Sequence, residues 1–257
     1  MLLKDKVCVI TGAASLRGIG YATSELFAEH GAKIVVLDLA IDDSTLGAIR
    51  SSIRERVNGS VSVDGLRCDI RNAAECETVL RHIVELHGRI DVLVNSAAIV
   101  KSQPLLEIGE HDLSSMIDVN LKGTFHLCQS ALKLFTAQQS GVIVNIASVA
   151  AQRGGGLVGG AHYAASKGGV ISLTRSIARE FGPQNIRANV VCPSMTETSM
   201  LDGTVSDAMF RDIASTIPLR RAGKPREIAG ACLFLASDLS AYVTGATLDV
   251  NGGSHIH

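Results

Sequence analysis

The chain has 257 residues, of which 46% are hydrophobic, so it can bury the core of a large domain and is not a disordered chain. The formal net charge is -1 and charges of both signs are scattered, which excludes the clustered Lys and Arg of a nucleic-acid-binding protein. The longest apolar stretches are far shorter than the ~20 residues that span a bilayer, so we expect no membrane segment.

Apolar runs alternate with amphipathic stretches along the whole chain. The apolar runs predict strands at residues 6–10, 33–38, 66–68, 90–95, 142–147, 186–192 and 247–250. The amphipathic stretches predict a helix ending near residue 30 and helices at residues 43–57, 73–87, 111–136, 163–181 and 225–236. This βαβα order predicts an α/β fold: a single-domain Rossmann fold over residues 1–257, with a doubly wound parallel sheet of about seven strands and helices on both faces. Ligands of such sheets bind outside the carboxyl ends of the strands, so residues directly after strands are the site candidates.

A glycine-rich loop, TGAASLRGIG at residues 11–20, follows the first predicted strand. Glycines let the backbone approach a pyrophosphate closely, and the helix that follows offers free N–H groups and the positive end of its dipole. A structural turn would use glycines as well, so the loop alone is a weak signal. The candidate cofactor contacts in it are Gly12, Ser15, Arg17, Gly18, Ile19 and Gly20.

The second predicted strand ends in Asp38, 18 residues after Gly20. A carboxylate there can accept hydrogen bonds from both ribose hydroxyls of NAD and would repel a 2′-phosphate, so we predict NAD rather than NADP. A solvent-facing helix cap is the alternative for Asp38. Arg17 favours the opposite cofactor, because an arginine nearby could pair with a 2′-phosphate.

Two later strand ends offer further candidate cofactor contacts. Asp69, with Ile70 beside it, follows the third predicted strand and could meet the adenine edge, or Asp69 could cap a helix. Asn95 and Ala97 lie at the end of the fourth predicted strand, where small residues would let the chain pass beside the cofactor. A packing role alone is the alternative there.

Tyr163 and Lys167 lie four residues apart in a predicted helix, which places them on one face. A tyrosine hydroxyl titrates near ~10, and a neighbouring ammonium lowers its pKa. Such a tyrosine can exchange a proton with an alcohol or a ketone near neutral pH. Because Tyr/Lys pairs at this spacing are common by chance, a catalytic role for the pair depends on the other residues predicted nearby.

Ser148 and Asn120 support a catalytic role for Tyr163 and Lys167. Ser148 follows the strand predicted at 142–147, where its hydroxyl can donate to a substrate carbonyl oxygen, and a turn cap is the alternative. Asn120 lies inside a long predicted helix, where asparagine is a mediocre helix former. We expect it to interrupt the helical bonding and hold a water that relays protons to Lys167. The alternative is a polar residue on a partly exposed face.

Taken together, these residues resemble the classical short-chain dehydrogenase/reductase family, and the resemblance covers residues 6–253. The family's Tyr-x-x-x-Lys motif reads Tyr163 and Lys167, its serine is Ser148 and its asparagine is Asn120. The resemblance implies that Tyr163 is the acid/base and that Lys167 lowers the pKa of Tyr163 and binds ribose. It further implies that Ser148 polarises the carbonyl, that Asn120 holds the relay water, and that Tyr163 and Lys167 also contact a nicotinamide cofactor.

The last third of the chain adds to the resemblance. Residues 189–193 are similar to the segment that flanks the nicotinamide, so we expect Pro193 and Thr196 at the cofactor. Thr198 stands where the family has a threonine that contacts the carboxamide. Residues 248–253 resemble the closing strand, which often packs at a tetramer interface, so we expect a homotetramer.

The glycine-rich loop and the segment after the fourth strand depart from the family pattern. The loop has two extra residues before Gly18, which leaves open which of Ala14, Ser15 and Arg17 touch phosphate. The family's NNAG reads NSAA at residues 95–98.

The run from Ser148 to Tyr163 also departs from the pattern, being two residues longer than the commonest spacing. It holds glycines at 154–156 and 159–160. We expect the extra length to loop out and leave Ser148 and Tyr163 in place.

These features predict an NAD(H)-dependent oxidoreductase that interconverts a secondary alcohol and a ketone, with a small polar alcohol such as a sugar, polyol or hydroxy acid as substrate. We expect the segment at about 195–221 to cover the pocket. Its apolar residues either line the pocket or pack between helices: Met200, Leu201, Met209 and Phe210. Arg153 and His162 could contact a polar substrate or could face solvent.

Two alternatives to this function stay open. One is an NADPH-dependent 3-oxoacyl thioester reductase on the same fold, against which Asp38 argues. The other is a non-catalytic nucleotide-binding protein, against which the complete tetrad argues, since a fold alone does not fix a function.

Six cysteines occur without CxxC pairs or histidines at zinc-ligand spacing, so we expect no metal site. Most of them lie in apolar runs, which is typical of buried, reduced thiols in a cytoplasmic protein. The N-terminus leads directly into a predicted strand and shows no signal-peptide pattern.

Overall fold

Seven parallel strands form one sheet in the part of the chain that the computed structural model describes, residues 1–57, 61–155, 158–203 and 205–257. They are β1 (Val7–Thr11), β2 (Lys33–Asp38), β3 (Val63–Arg67), β4 (Val92–Asn95), β5 (Gly141–Ile146), β6 (Ile186–Pro193) and β7 (Thr247–Val250). Their order is β3-β2-β1-β4-β5-β6-β7, so the direction of strand addition reverses between β1 and β4. The carboxyl ends of these two strands open a crevice, as at the switch point of a doubly wound sheet.

Helices cover both faces of the sheet. The described helices are α1 (Ile19–Glu29), α2 (Asp43–Arg56), α3 (Ala73–His87), α4 (Glu110–Ile117), α5 (Thr124–Gln138), α6 (Ala150–Arg153), α7 (Ala161–Phe181), α8 (Asp207–Thr216) and α9 (Pro225–Ala236). Side chains of α1, α2 and α9 join the core on one face, and those of α3, α5 and α7 join the core on the other. The predicted α/β fold with a doubly wound parallel sheet is therefore confirmed.

Strand β2 shows why the apolar runs are continuous. Ile34 and Val36 belong to the core on one face, and Val35 and Leu37 to the core on the other. Successive strand residues point to opposite faces, so a strand buried on both sides needs an apolar residue at every position.

The helix predicted at 111–136 is interrupted. After α4 the chain forms a π-helical turn over Asp118–Gly123, and α5 begins at Thr124. The apolar spacing continues through the turn, so the pattern alone predicts one helix. The turn contains Asn120, whose side chain is fully buried, and such turns often lie at functional sites.

Strand β3 begins three residues earlier than the predicted strand at 66–68. Gly65 lies inside it, and an added Cβ there would be 2.7 Å from Leu46 Cδ1. This glycine therefore makes room for α2 rather than marking a turn. The short helices α6 and α8 were also not predicted from the sequence.

The six cysteines are buried free thiols, as expected. Among the described residues, we find no helix that combines the length and apolar character needed to cross a membrane.

Candidate active site

A cavity of about 1220 Å³ lies at the carboxyl ends of the strands. It brings together most of the predicted site residues: Gly12, Ser15, Gly18, Ile19, Asp38, Asp69, Ile70, Ala97, Ser148, Tyr163, Lys167, Pro193, Thr196 and Thr198. Four others are absent from the described lining: Arg17, Gly20, Asn95 and Asn120.

The glycine-rich loop is held tightly against the chain that follows β4. Gly12 has a φ of +68°, and an added Cβ would be 2.6 Å from Ala97 Cα. The Thr11 hydroxyl accepts hydrogen bonds from the backbone N–H groups of Ser96 (3.0 Å) and Ala97 (3.1 Å). An added Cβ at Gly20 would collide with the Gly12 carbonyl oxygen. Gly20 therefore allows α1 to pack on the loop. It was predicted to contact the cofactor, but it does not line the cavity.

Two contacts join the glycine-rich loop to the segment after β6. The Arg17 guanidinium donates to both carboxylate oxygens of Asp202, at 2.8 and 3.0 Å. The Ser15 and Ser199 hydroxyl oxygens are 2.7 Å apart. Arg17 is thus paired with a carboxylate outside the cavity lining, whereas Ser15 lines the cavity.

Asp38 lies at the end of β2 with its carboxylate at the cavity. One carboxylate oxygen accepts from the Ala14 N–H (3.1 Å) and the other from the Ala40 N–H (3.0 Å). The helix that follows is capped by Asp42, which accepts from the Thr45 N–H. The alternative interpretation of Asp38 as a helix cap is therefore wrong, and its charge faces the loop and the cavity.

Asp69 lines the cavity in a close pair with Arg71, which also lines it. The shortest nitrogen–oxygen distance in the pair is 2.6 Å, and the hydrogen bonds from Arg71 lower the pKa of the Asp69 carboxyl. Asn72, not Asp69, caps α3. Arg71 was missed in the sequence, although its position two residues after Asp69 could have marked it.

Asn95 was predicted to contact the cofactor, but its side chain lies inside the sheet. It is 4% exposed and donates to Asn145 Oδ1 (2.8 Å) and to Cys128 Sγ (3.3 Å). Asn145 in turn donates to the Thr174 hydroxyl on α7. The structure therefore assigns Asn95 to packing between β4, β5 and α7, the alternative role, while Ala97 borders the cavity.

Tyr163 and Lys167 lie on one face of α7 and both border the cavity. Lys167 Nζ is 6.0 Å from the Tyr163 ring centroid and donates to the Ile146 carbonyl oxygen at 2.8 Å. Burial lowers the pKa of Lys167 to about 8. Burial also raises the pKa of Tyr163, and a hydrogen bond with the Ser148 hydroxyl partly offsets this. The lowering of the Tyr163 pKa that was expected from Lys167 is thus not found, and burial raises that pKa instead.

Asn120 supports this face of α7 from the π-helical turn. Its Oδ1 accepts from the Ile99 N–H (2.9 Å), and its Nδ2 donates to the Ile99 carbonyl oxygen (3.0 Å) and the Ser166 hydroxyl (3.2 Å). Ser166 stands directly before Lys167. The alternative of a partly exposed Asn120 is wrong, and its contacts position the loop after β4 against α7.

The lengthened run before Tyr163 leaves Ser148 and Tyr163 at the same cavity, as expected. Gly159 lies against the tyrosine ring, and an added Cβ would be 2.5 Å from Tyr163 Cδ1. Gly156 lies outside the described residues. The glycines at 159–160 therefore allow the chain to pass beside the tyrosine.

We predict that Gly159→Ala lowers kcat about 10- to 100-fold, because the new methyl group must displace the Tyr163 ring. The matched control is Gly230→Ala on α9, where an added Cβ meets nothing within 4 Å. Steady-state kinetics and thermal unfolding of both variants test this prediction. Full activity in Gly159→Ala would show that the ring position is not constrained there.

Part of the cavity lining is apolar. Met200 and Leu201 belong to it, whereas Met209 and Phe210 do not. Further apolar residues of the lining are Val149, Val158, Met195, Ile213 and Ile217. Arg153 lines the cavity as well. His162 is buried, and neither ring nitrogen has a hydrogen-bond partner among the described residues.

Comparisons with known proteins agree with this arrangement. A family model described as enoyl-(acyl carrier protein) reductase matches residues 12–255. An uncharacterized short-chain type dehydrogenase/reductase from Sinorhizobium fredii is 44% identical over 257 residues, which is 100% of both chains. A 3-oxoacyl-(acyl-carrier-protein) reductase FabG from Thermotoga maritima is 41% identical over 98% of this chain and 99% of the relative.

A 3alpha-hydroxysteroid dehydrogenase from Mediterraneibacter gnavus is 35% identical over 99% of this chain and 98% of the relative. The crystal structure of gox2181 matches with a TM-score of 0.91 and 31% identity, covering 98% of this chain and 96% of that one. The matched family model, these full-length relatives and the seven-stranded parallel sheet together show that the chain belongs to the short-chain dehydrogenase/reductase family.

Proposed function

We propose that the protein is an NAD(H)-dependent oxidoreductase that interconverts a secondary alcohol and a ketone. The observation that carries this proposal is the shared cavity: Tyr163, Lys167 and Ser148 line it together with Asp38. An acid/base group, a hydroxyl donor and a ribose-binding carboxylate thus face one space.

The residues present fit a dinucleotide. Glycine at position 12 lets the loop pack on the backbone of Ser96 and Ala97, and Gly12 lines the cavity, where its backbone could meet a pyrophosphate. Gly12, Ser15, Gly18 and Ile19 would hold the phosphates, and Asp38 would hold the adenosine ribose. The cavity exceeds the roughly 300–1,000 Å³ of a single small-ligand pocket, which leaves room for a substrate as well.

A bound nicotinamide supplies the hydride acceptor or donor. In alcohol oxidation, the Tyr163 phenolate accepts the proton of the substrate hydroxyl, and the Ser148 hydroxyl donates to the same oxygen. Lys167 is an ammonium below a pH of about 8. Such a group has three donor hydrogens, of which one is used on Ile146, so it can also hold a ribose hydroxyl and stabilise the phenolate.

The apolar part of the cavity lining favours a substrate with a larger apolar body than the small polar alcohol expected from the sequence. Met195, Met200 and Leu201 would contact that body. Arg153 and Asp212 are charged residues of the same lining, and Arg153 could meet a carboxylate or another polar end of the substrate. A hydroxysteroid, as in the name of the 35% identical relative, combines these features.

The second candidate function is an NADPH-dependent 3-oxoacyl thioester reductase. It is favoured by the name of the Thermotoga maritima relative, which is 41% identical. Asp38 argues against it, because a carboxylate at the ribose repels a 2′-phosphate.

Turnover assays test the proposal. Polyols, hydroxy acids and hydroxysteroids are assayed with NAD⁺ and NADP⁺, and 3-oxoacyl thioesters are assayed with NADH and NADPH. We expect the highest kcat/KM with NAD(H) and a secondary alcohol or its ketone. Preference for NADPH and a thioester would establish the second candidate. Cofactor binding without turnover of any substrate would support the non-catalytic alternative.

A further inference from the structure

The segment that follows β7 folds back over that strand. Asn251, which is 4% exposed, accepts from the Gly253 N–H (2.8 Å) and donates to the His255 carbonyl oxygen (3.0 Å). This buried asparagine turns the backbone so that His255 and His257 approach Asp249. Their convergence is therefore built by a hydrogen-bonded turn and not by surface side chains alone.

The three side chains offer ligand atoms that all lie within 4.8 Å of one another. His257 Nε2 is 3.2 Å from Asp249 Oδ2. Two ligands of a tetrahedral zinc ion, each about 2.0 Å from it, are separated by roughly 3.3 Å. The His255 and His257 rings meet edge to face, with centroids 4.7 Å apart. Small side-chain movements would bring the third ligand atom to the same point.

The polar contacts of His257 show a position that a metal ion would suit. Its Nε2 is 3.2 Å from a carboxylate oxygen of Asp249, which needs a donor, and 3.3 Å from the Gln152 amide nitrogen, which is itself a donor. A proton on His257 Nε2 would bridge to Asp249, because the Gln152 amide already donates to the other oxygen of Asp249, and a metal ion would take the place of that proton. Gln152 Oε1 is also buried without a partner among the described residues. A cation would accept the lone pairs of His257 and Asp249 together.

Gln152 has the geometry of an outer partner of such a site. Its amide nitrogen donates to the other carboxylate oxygen of Asp249 at 2.7 Å. Hydrogen bonds of this kind orient metal-binding carboxylates and are a regular part of metal sites.

From these contacts we propose that Asp249, His255 and His257 form a divalent metal site that suits Zn²⁺. Two imidazoles and a carboxylate match zinc better than Mg²⁺ or Ca²⁺, which prefer oxygen ligands. Three protein ligands leave a fourth position for water. The sequence had suggested no metal site, because the ligands are joined by a turn and not by a familiar spacing.

The site would brace the part of the cavity wall that Arg153 and Ser254 form. Gln152 is followed on α6 by Arg153, whose guanidinium donates to the Ser254 carbonyl oxygen at 2.9 Å. Arg153 and Ser254 both line the cavity. An ion on Asp249 and the two histidines would therefore fix the segment 251–257 against α6. This inference does not depend on the proposed oxidoreductase activity.

Titration calorimetry of the metal-stripped full chain with Zn²⁺ alone tests the site. We expect one Zn²⁺ per chain, micromolar or tighter affinity, and a higher unfolding temperature with zinc. His255→Ala, His257→Ala and Asp249→Asn should each weaken binding at least tenfold. His82→Ala is the matched control, because His82 is exposed on α3, and it should bind like the wild type.

Zinc binding that all three site variants retain would overturn the proposal, since it would then belong to other groups such as the cysteines. No binding at millimolar Zn²⁺ would overturn it as well. Circular dichroism of each variant would show that a lost site is not a lost fold.

Discussion

Replacing Tyr163 with phenylalanine should lower kcat for alcohol oxidation by about 10³-fold, the scale of a lost general base. The change removes one hydroxyl and keeps the ring, which is held between Gly159 and the cavity. Lys167 should replace it poorly as a base near neutral pH, because its pKa is about 8 and most of it is then an ammonium. Cofactor affinity should change little, so titration with NADH separates lost chemistry from lost binding.

The pH profile gives this prediction a second readout. Burial raises the pKa of Tyr163, so the phenolate is the minor form at neutral pH. Oxidation needs the phenolate as base, and its rate should rise with pH towards that pKa. Ketone reduction needs the phenol as acid, so its rate should stay level below that pKa and fall as the pH passes it. Tyr163→Phe should lose both dependences.

Tyr242→Phe is the matched control, because Tyr242 is fully exposed. It should leave kcat and the pH profile unchanged. Wild-type turnover in Tyr163→Phe with NAD(H) bound would exclude this tyrosine as the acid/base and remove the central step of the proposed function.

The sheet was predictable because both of its faces are buried, so each strand is a continuous apolar run. β3 was placed less accurately, because Gly65 resembles a turn residue and serves packing against Leu46. The π-helical turn at Asp118–Gly123 could not be predicted from periodicity. Local spacing records which face is apolar and does not record where one residue is added to a helix.

The expectation that site residues directly follow strands was correct for side chains that act where their own strand ends, such as Asp38 and Ser148. It failed where a partner lies far away in the chain. Asn95 turns inward because Asn145 offers it an acceptor across the sheet. Arg17 pairs with Asp202, 185 residues further on, and does not line the cavity. The sequence of the glycine-rich loop does not predict the pairing of Arg17 with Asp202.

The pairing of Arg17 with Asp202 affects a second prediction, the preference for NAD over NADP. A 2′-phosphate near Asp38 would meet a negative charge, while Arg17, the cation that could offset it, is held by both oxygens of Asp202. Two unit charges about 6 Å apart at an effective dielectric constant near 20 repel by roughly 3 kcal/mol, or about 100-fold in affinity. We therefore expect Asp38→Asn to reduce the NAD⁺/NADP⁺ preference about 100-fold.

Asparagine suits this test because its amide oxygen can still accept from the Ala14 N–H, so the loop keeps a hydrogen bond while the charge is lost. Adding Asp202→Asn should release Arg17 and shift the preference further towards NADP⁺. Asp43→Asn is the matched control, since Asp43 is exposed on α2 and does not line the cavity. Dissociation constants and kcat/KM for both cofactors give the answer. If the ratio stays the same in Asp38→Asn, the carboxylate does not select the cofactor, and the argument against an NADPH-dependent reductase loses its basis.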